Sequence, residues 1–262
     1  MKIATFNVNG ITARLPRLLE WLEESQPDIA CLQELKTPDA SFPAAAIEAA
    51  GYGAVWHGQK SWNGVAVLAR GRHPAQIGLL QRGLPGDADD VQSRFLQAQV
   101  GDLIVVSLYL PNGNPQPGPK FDYKLKWFER LIAEAQALQR HSGPVVMAGD
   151  YNVVPSNDKH DIYSPASWLN DALLQPQSRD AYRRLLAQGW TDAIHELHAG
   201  VPMYTFWDYF RNRWARNAGL RIDHLLLNPA ARARLLAAGV DREVRGREKP
   251  SDHAPAWVEL KD

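Results

Sequence analysis

The feature that most limits how this chain can fold is a set of short apolar runs, each broken off by polar residues. The runs occupy positions 3–6, 29–32, 65–68, 103–108, 145–148, 222–227 and 256–260. Segments of that length, rich in Val, Ile and Leu and bounded by turn formers, read as buried strands. Between some of them the apolar spacing changes. Ile11, Leu15, Leu18, Leu19 and Leu22 make one stripe at helical period, and Leu125, Phe128, Leu131, Ile132, Ala135 and Leu138 make another. Residues 181–188 form a third, shorter helical candidate. Strands mixed with helices imply a layered α/β protein. Consecutive strands in the middle of each half argue against strict alternation, and predict a mixed sheet or two packed sheets. No Ser/Gly-rich linker divides the 262 residues, so one domain over 1–262 is expected. The Pro- and Gly-rich segment 111–120 reads as a functional surface loop, and 154–176 as a long surface excursion.

Charge sets a limit on partners. Lys plus Arg number 29, equal to Asp plus Glu, so no global positive field draws nucleic acid to this chain. A DNA-binding reading needs a local basic face. The single cysteine, Cys31, lies inside an apolar run and reads as a core thiol. It can form neither an intrachain disulfide nor a Cys-based zinc site. The N-terminus reads as a strand and lacks a signal-peptide core, and no apolar run approaches a membrane span. The expectation is a cytoplasmic protein with no membrane association and no obligate protein partner.

The polar residues that end the runs carry the functional signal. Run 3–6 ends in Asn7-Val8-Asn9-Gly10, run 29–32 in Gln33-Glu34, and run 145–148 in Gly149-Asp150-Tyr151-Asn152. Asp223 opens one later strand, and Asp252-His253 precedes the last. One Asp or Asn at a strand end is ordinarily a turn former or cap. Asn7, Glu34, Asp150, Asn152, Asp223, Asp252 and His253 together exceed that role. They offer oxygen ligands and one imidazole, a set suited to Mg²⁺ or Mn²⁺ rather than zinc.

These residues sit in motifs that run the length of the chain: Phe6-Asn7-Val8-Asn9-Gly10-Ile11, Leu32-Gln33-Glu34, Gly64-Val65-Ala66, Tyr109-Leu110-Pro111-Asn112-Gly113, Gly149-Asp150-Tyr151-Asn152, Tyr204-Thr205-Phe206-Trp207-Asp208-Tyr209, Gly219-Leu220-Arg221-Ile222-Asp223-His224 and Lys249-Pro250-Ser251-Asp252-His253-Ala254-Pro255. In this order they resemble the exonuclease III family of abasic-site endonucleases, within the DNase I-like metal phosphodiesterases. The resemblance implies a four-layer α/β sandwich, two packed mixed β-sheets flanked by helices, with the site at the strand ends.

It also implies roles. Glu34 matches the principal metal ligand, supported by Asn7 and Asp252, with Asp150, Asn152 and His253 at a possible second metal position. Asp150 matches the residue that activates water or protonates the leaving group, and Asn152 the side chain that positions water and phosphate. His253, oriented by Asp223, and Tyr109 match phosphate-side groups. Phe206 and Trp207 match an aromatic wall for a base-free sugar. Asn9, Asn112, Arg94, Lys120, Lys124 and Arg211 are the expected substrate contacts, with Arg213 and Arg216 as further basic candidates. Some members carry Asp where Asn9 stands and Trp where Leu220 stands. The implied activity is metal-dependent hydrolysis of duplex DNA 5′ to abasic sites, with 3′-phosphodiesterase and 3′→5′ exonuclease activity. Two alternatives stay open here: a catalytically decayed nucleic-acid-binding regulator, and a phosphodiesterase acting on other substrates.

Overall fold

The computed structural model describes residues 1–262. Its first half contains β1 (Lys2–Asn7), α1 (Ile11–Ser25), β2 (Ile29–Gln33), α2 (Ala44–Ala49), β3 (Tyr52–His57), β4 (Val65–Arg70), β5 (Gly78–Arg82), β6 (Phe95–Val100) and β7 (Leu103–Tyr109). The second half adds α3 (Pro119–Gln139), β8 (Val145–Asp150), α4 (Pro176–Leu186), β9 (Thr191–Asp192), α5 (Ala193–Leu197), β10 (Asp223–Leu227), α6 (Pro229–Arg232), β11 (Leu235–Val240) and β12 (Ala256–Leu260). The strands form two six-stranded sheets, ordered β11-β12-β1-β2-β4-β3 and β5-β6-β7-β8-β10-β9.

Each sheet contains one parallel pair, β1 with β2 and β7 with β8, and its other pairs are antiparallel. Parallel neighbours need a crossover, and α1 and α3 supply the two. These are the helices that the two long apolar stripes predict.

The strands are apolar on both faces because both faces are covered. Along β2, Cys31 points into the core between the sheets with Ile3, Val67, Val105, Val146 and Leu225. Its neighbours Ala30 and Leu32 point the other way, under Leu18, Trp21 and Leu22 of α1. On the far side, Trp127, Phe128 and Leu131 of α3 and Tyr182 of α4 pack on Val106 and Met147. Strand alternation therefore feeds two cores from one run, and the four layers follow.

Five strands escape the sequence reading: β3, β5, β6, β9 and β11. They are short or contain Gly, Gln and Ala, which carry weak strand preference. β5 is also an edge strand, largely exposed. The helical candidate at 181–188 begins earlier, at Pro176.

The stretch expected as a surface excursion is irregular but anchored. Val154, Ile162, Leu173 and Leu174 are buried with Leu220 and Ile222. Arg221 ties it further: Nε donates to Asp161 Oδ1 (2.7 Å) and Nη1 to Asp192 Oδ2 (2.5 Å), all buried. No helix is long and apolar enough to cross a membrane.

Candidate active site

Strand register brings the polar strand ends together. In parallel pairs, C-terminal ends lie side by side, so Asn7 is level with Gln33, and Tyr109 with Asp150. β10 runs antiparallel to β8, and its first residue, Asp223, pairs with Asp150. Three polar side chains of the second sheet thus share one edge. The two sheets are pinned to each other just below it. Gln33 Nε2 donates to Ser107 Oγ (3.2 Å), and Thr5 Oγ1 donates to Gln33 Oε1 (3.1 Å), all buried.

Asn7 joins the sheets at the site itself. Its Nδ2 donates to Glu34 Oε1 (2.9 Å) and Asp150 Oδ2 (3.0 Å). Its Oδ1 accepts the Asn9 N–H (3.0 Å), so the amide hydrogens, not the oxygen, face the carboxylates. In that orientation Asn7 ties the Glu34 and Asp150 carboxylates together across the two sheets.

His253 Nδ1 lies 2.8 Å from Asp223 Oδ2, and its Nε2 lies 3.8 Å from Asp150 Oδ2. Burial alone would favour the neutral imidazole, but the Asp223 and Asp150 carboxylates outweigh it and raise the His253 pKa. Burial raises Asp150, against the lowering influence of His253. Tyr109 is held well above the ordinary phenol value by burial and by the charges of Glu34 and Asp150, so it remains a hydrogen-bond donor. Asn152 is anchored at both ends of its amide: Nδ2 donates to Leu110 O (2.8 Å), and Oδ1 accepts from Asn112 Nδ2 (3.1 Å).

Several of these residues occupy left-handed backbone: Asn9 (φ 47°), Glu34 (φ 53°), Lys36 (φ 54°) and Asn152 (φ 45°). Asn tolerates this region, whereas Glu and Lys seldom enter it. Such strain persists only where surroundings enforce it. Here Gly10 N–H binds Glu34 O (2.8 Å), and the Lys36 N–H binds Asn63 O (2.9 Å). The turn aims Glu34 back over the strand ends.

Lys36 is a site residue that the sequence reading missed. Its Nζ donates to Glu34 Oε2 (2.8 Å) and Asn9 Oδ1 (2.6 Å). Burial would raise Glu34, but Lys36 and the Asn7 amide hold it below its ordinary pKa. The signal was available, because Lys36 follows Glu34 by two residues. Asp252 sits at the opposite rim, where its Oδ1 accepts from Asn9 Nδ2 (3.0 Å).

A cavity of about 620 Å³ opens from Glu34 and Tyr109, and Arg94, Asn112 and Lys120 line it. The Arg94 guanidinium stacks on the Tyr109 ring (4.7 Å) and donates to Tyr109 O (3.2 Å). Arg211 and Arg216 are exposed on the loop between α5 and β10.

Three expected contacts move to other roles. Lys124 is fully buried, with Nζ donating to Asn112 O (3.1 Å) and Asn152 O (2.5 Å), so it faces the interior rather than a ligand. Trp207 is buried against Tyr204 and Ala254 and does not form an open wall. Arg213 is buried, stacked on Trp168 (4.6 Å). Phe206 remains half-buried, edge-on to His253 (5.0 Å) and to Trp168 (6.2 Å). The second ring beside Phe206 is therefore Trp168, from a stretch whose sequence has no periodicity to mark it.

The model of the Endonuclease/Exonuclease/phosphatase family matches residues 4–253 of this chain. The chain belongs to that family. It is 35% identical to Exodeoxyribonuclease III of Haemophilus influenzae over 271 aligned residues, covering 100% of both. It is similar in structure to a 3′ phosphatase from Neisseria bound to product DNA hairpin (TM-score 0.93, 38% identity, 100% of both chains). An AP endonuclease from Archaeoglobus fulgidus is similar to the same degree (TM-score 0.93, 34% identity, 100% of both chains). The expected four-layer fold and the nuclease-type hydrolase reading both hold.

Proposed function

We propose that this protein hydrolyses the backbone of duplex DNA, cutting 5′ to abasic sites, trimming blocked 3′ ends and removing nucleotides 3′→5′, with Mg²⁺ or Mn²⁺. One observation carries the reading. Glu34, Tyr109, Asp150, Asn152 and the Asp223–His253 pair converge at one end of both sheets, beside a cavity lined by Arg94 and Lys120.

The donor set fits a divalent cation. Carboxylate oxygens of Asp150 and Asp223 lie within 4.8 Å of each other, with the His253 ring beside them. Asp223 Oδ1 is buried with no hydrogen-bond partner, as an atom reserved for a ligand would be. Glu34 adjoins this group through Asn7. A bound cation neutralises phosphate charge and polarises the phosphorus centre.

The chain's own groups account for the remaining chemistry. Protonated His253, steadied by Asp223, presents Nε2–H to a non-bridging phosphate oxygen, and the Tyr109 hydroxyl presents a second donor. Asn152 orients the attacking water and the phosphate. Asp150, its pKa raised by burial, is suited to take a proton from that water or return one to the departing 3′ oxygen. Water oxygen bonds to phosphorus, the P–O3′ bond breaks, and the products are a 3′ hydroxyl and a 5′ phosphate on the abasic sugar. Phe206 adjoins this centre, where a sugar without a base would sit. An abasic nucleotide stacks poorly and leaves the duplex at low cost. Arg94, Lys120 and Arg211 contact backbone phosphates, which carry no sequence information.

The test is a duplex with one tetrahydrofuran abasic analogue, incubated with protein and Mg²⁺. A single cut 5′ to the analogue is expected, and a folded preparation that makes none ends the proposal. Glu34→Gln and Asp150→Asn should abolish cutting while leaving duplex binding, read by fluorescence anisotropy, within about threefold.

A further inference from the structure

A buried lysine next to a reaction centre demands an explanation, because removing its charge from water is costly. Lys124 is fully buried on α3, and its Nζ has two partners, the backbone oxygens of Asn112 and Asn152. Asp171 and Asp150 act on it only at longer range. Trp127 and Phe128, on the next turn of α3, are locked in the core, so the helix delivers the ammonium from a rigid support.

The two carbonyls belong to different segments. Asn112 follows β7, and Asn152 follows β8. Two of the three Asn152 side-chain contacts come from the first segment, Leu110 O and Asn112 Nδ2, and the third runs from Nδ2 to Asp150 Oδ2 (3.4 Å). The Asn152 N–H in turn binds Asp150 Oδ1 (2.9 Å). Orientation of the Asn152 amide, and with it the Asp150 carboxylate, thus depends on how the two segments are held together. Lys124 bridges them directly. The chain also makes room for it. Gly113 has φ +90°, and a Cβ there would lie 2.6 Å from Lys124 Cδ.

We propose that Lys124 is a positioning residue for phosphodiester hydrolysis, clamping the Asn112 and Asn152 segments so that the Asn152 amide and Asp150 carboxylate are preset for the phosphate. This rests on the proposed function above, in which Asn152 acts at the phosphate. The Lys124 Nζ–H groups contribute donors and shape rather than contact with DNA.

Lys124→Met keeps the stem length and removes the donors. It should lower kcat on the abasic duplex by about 10- to 100-fold, in the range for loss of one preorganised polar group. KM should stay within about threefold, because no DNA contact is removed. A double-mutant cycle then separates positioning from general damage. Against an Asn152→Ala background, Lys124→Met should cost less than about threefold more, because its effect passes through Asn152. Multiplicative losses, an unchanged kcat, or a loss confined to KM would overturn the proposal. If Lys124→Met does not give the wild-type circular dichroism spectrum, the same cycle with Lys124→Gln decides by the same criteria. The wild type serves as control: if it fails to cut, the nuclease reading fails, whereas cutting with an additive cycle refutes only the clamp.

Discussion

Replacing Asp223 with asparagine removes the charge beside His253 and, with it, one carboxylate of the group that would hold the cation. Asp223 Oδ2 lies 2.8 Å from His253 Nδ1, and both side chains are buried. At an effective dielectric near 20, opposite unit charges that close attract by about 6 kcal/mol. Asp150 Oδ2 stands 3.8 Å from His253 Nε2, worth about 4 kcal/mol on the same scale. Burial keeps the Asp150 pKa raised, so it replaces only part of the lost anion. A net loss of several kcal/mol, at about 1.4 kcal/mol per pH unit, takes His253 from well above its ordinary pKa to near or below neutrality. Loss of the imidazole proton costs about tenfold at about pH 7 for an imidazole of pKa near about 6. Loss of the carboxylate that fixes the tautomer adds to it, so kcat should fall by more than about tenfold and by up to about 10⁴-fold, the scale known for Asp→Asn beside a catalytic imidazole. Activity should return in part as pH falls toward about 6, where a neutral-range imidazole regains its proton. Folding should be spared. The Asp223 backbone N–H keeps its bond to Thr205 Oγ1 (3.1 Å), and Asp223 Oδ1 has no partner to lose. The assay is steady-state incision of an abasic duplex from about pH 5.5 to 9, beside a thermal melt. A kcat within tenfold of wild type at neutral pH, or a profile parallel to wild type, would refute the reasoning.

Further predictions concern the support and the wall. Arg221→Met removes the shared guanidinium from buried Asp161 and Asp192, leaving them the Ser156 and Tyr182 hydroxyls and the neighbouring histidines, and urea titration should show a loss of about 3–5 kcal/mol; under about 1 kcal/mol would count against the account. Burial would raise Asp192, but Arg221 and His224 hold it far below the carboxylate range. Its stabilisation is therefore present above the unfolded value of about 3.9 and lost as pH falls below it. The stability gap between wild type and Asp192→Asn should narrow under acid, and a constant gap would reject the pairing. Trp207→Ala, which empties a buried site beside Trp214 (5.0 Å), should cost about 3–5 kcal/mol. Phe206→Ala should instead leave the melt nearly unchanged and lower the kcat/KM ratio of abasic to intact duplex; the reverse assignment of the two effects would sink the distinction.

The sequence alone carried the layered class and most of the site. A run such as Ile29-Ala30-Cys31-Leu32 is apolar throughout because both faces of a covered strand are dry, and that pattern is visible without coordinates. The polar breaks at Asn7, Glu34, Asp150 and Asp223 were equally visible, since a carboxylate at the end of an apolar strand stands out against its neighbours. What local pattern could not carry was direction and depth. Lys124, Trp207 and Arg213 have the chemistry of ligand contacts, yet burial turned each inward. Trp168 lies in a stretch without period, so nothing local placed it against Phe206. Weak strands such as β5 exist because a neighbour offers hydrogen bonds, a nonlocal cause. Residue type and order report which groups can bind, donate or carry charge; which of them meet, and which face water, is decided by packing between segments far apart in the chain, because that packing assigns each side chain its neighbours.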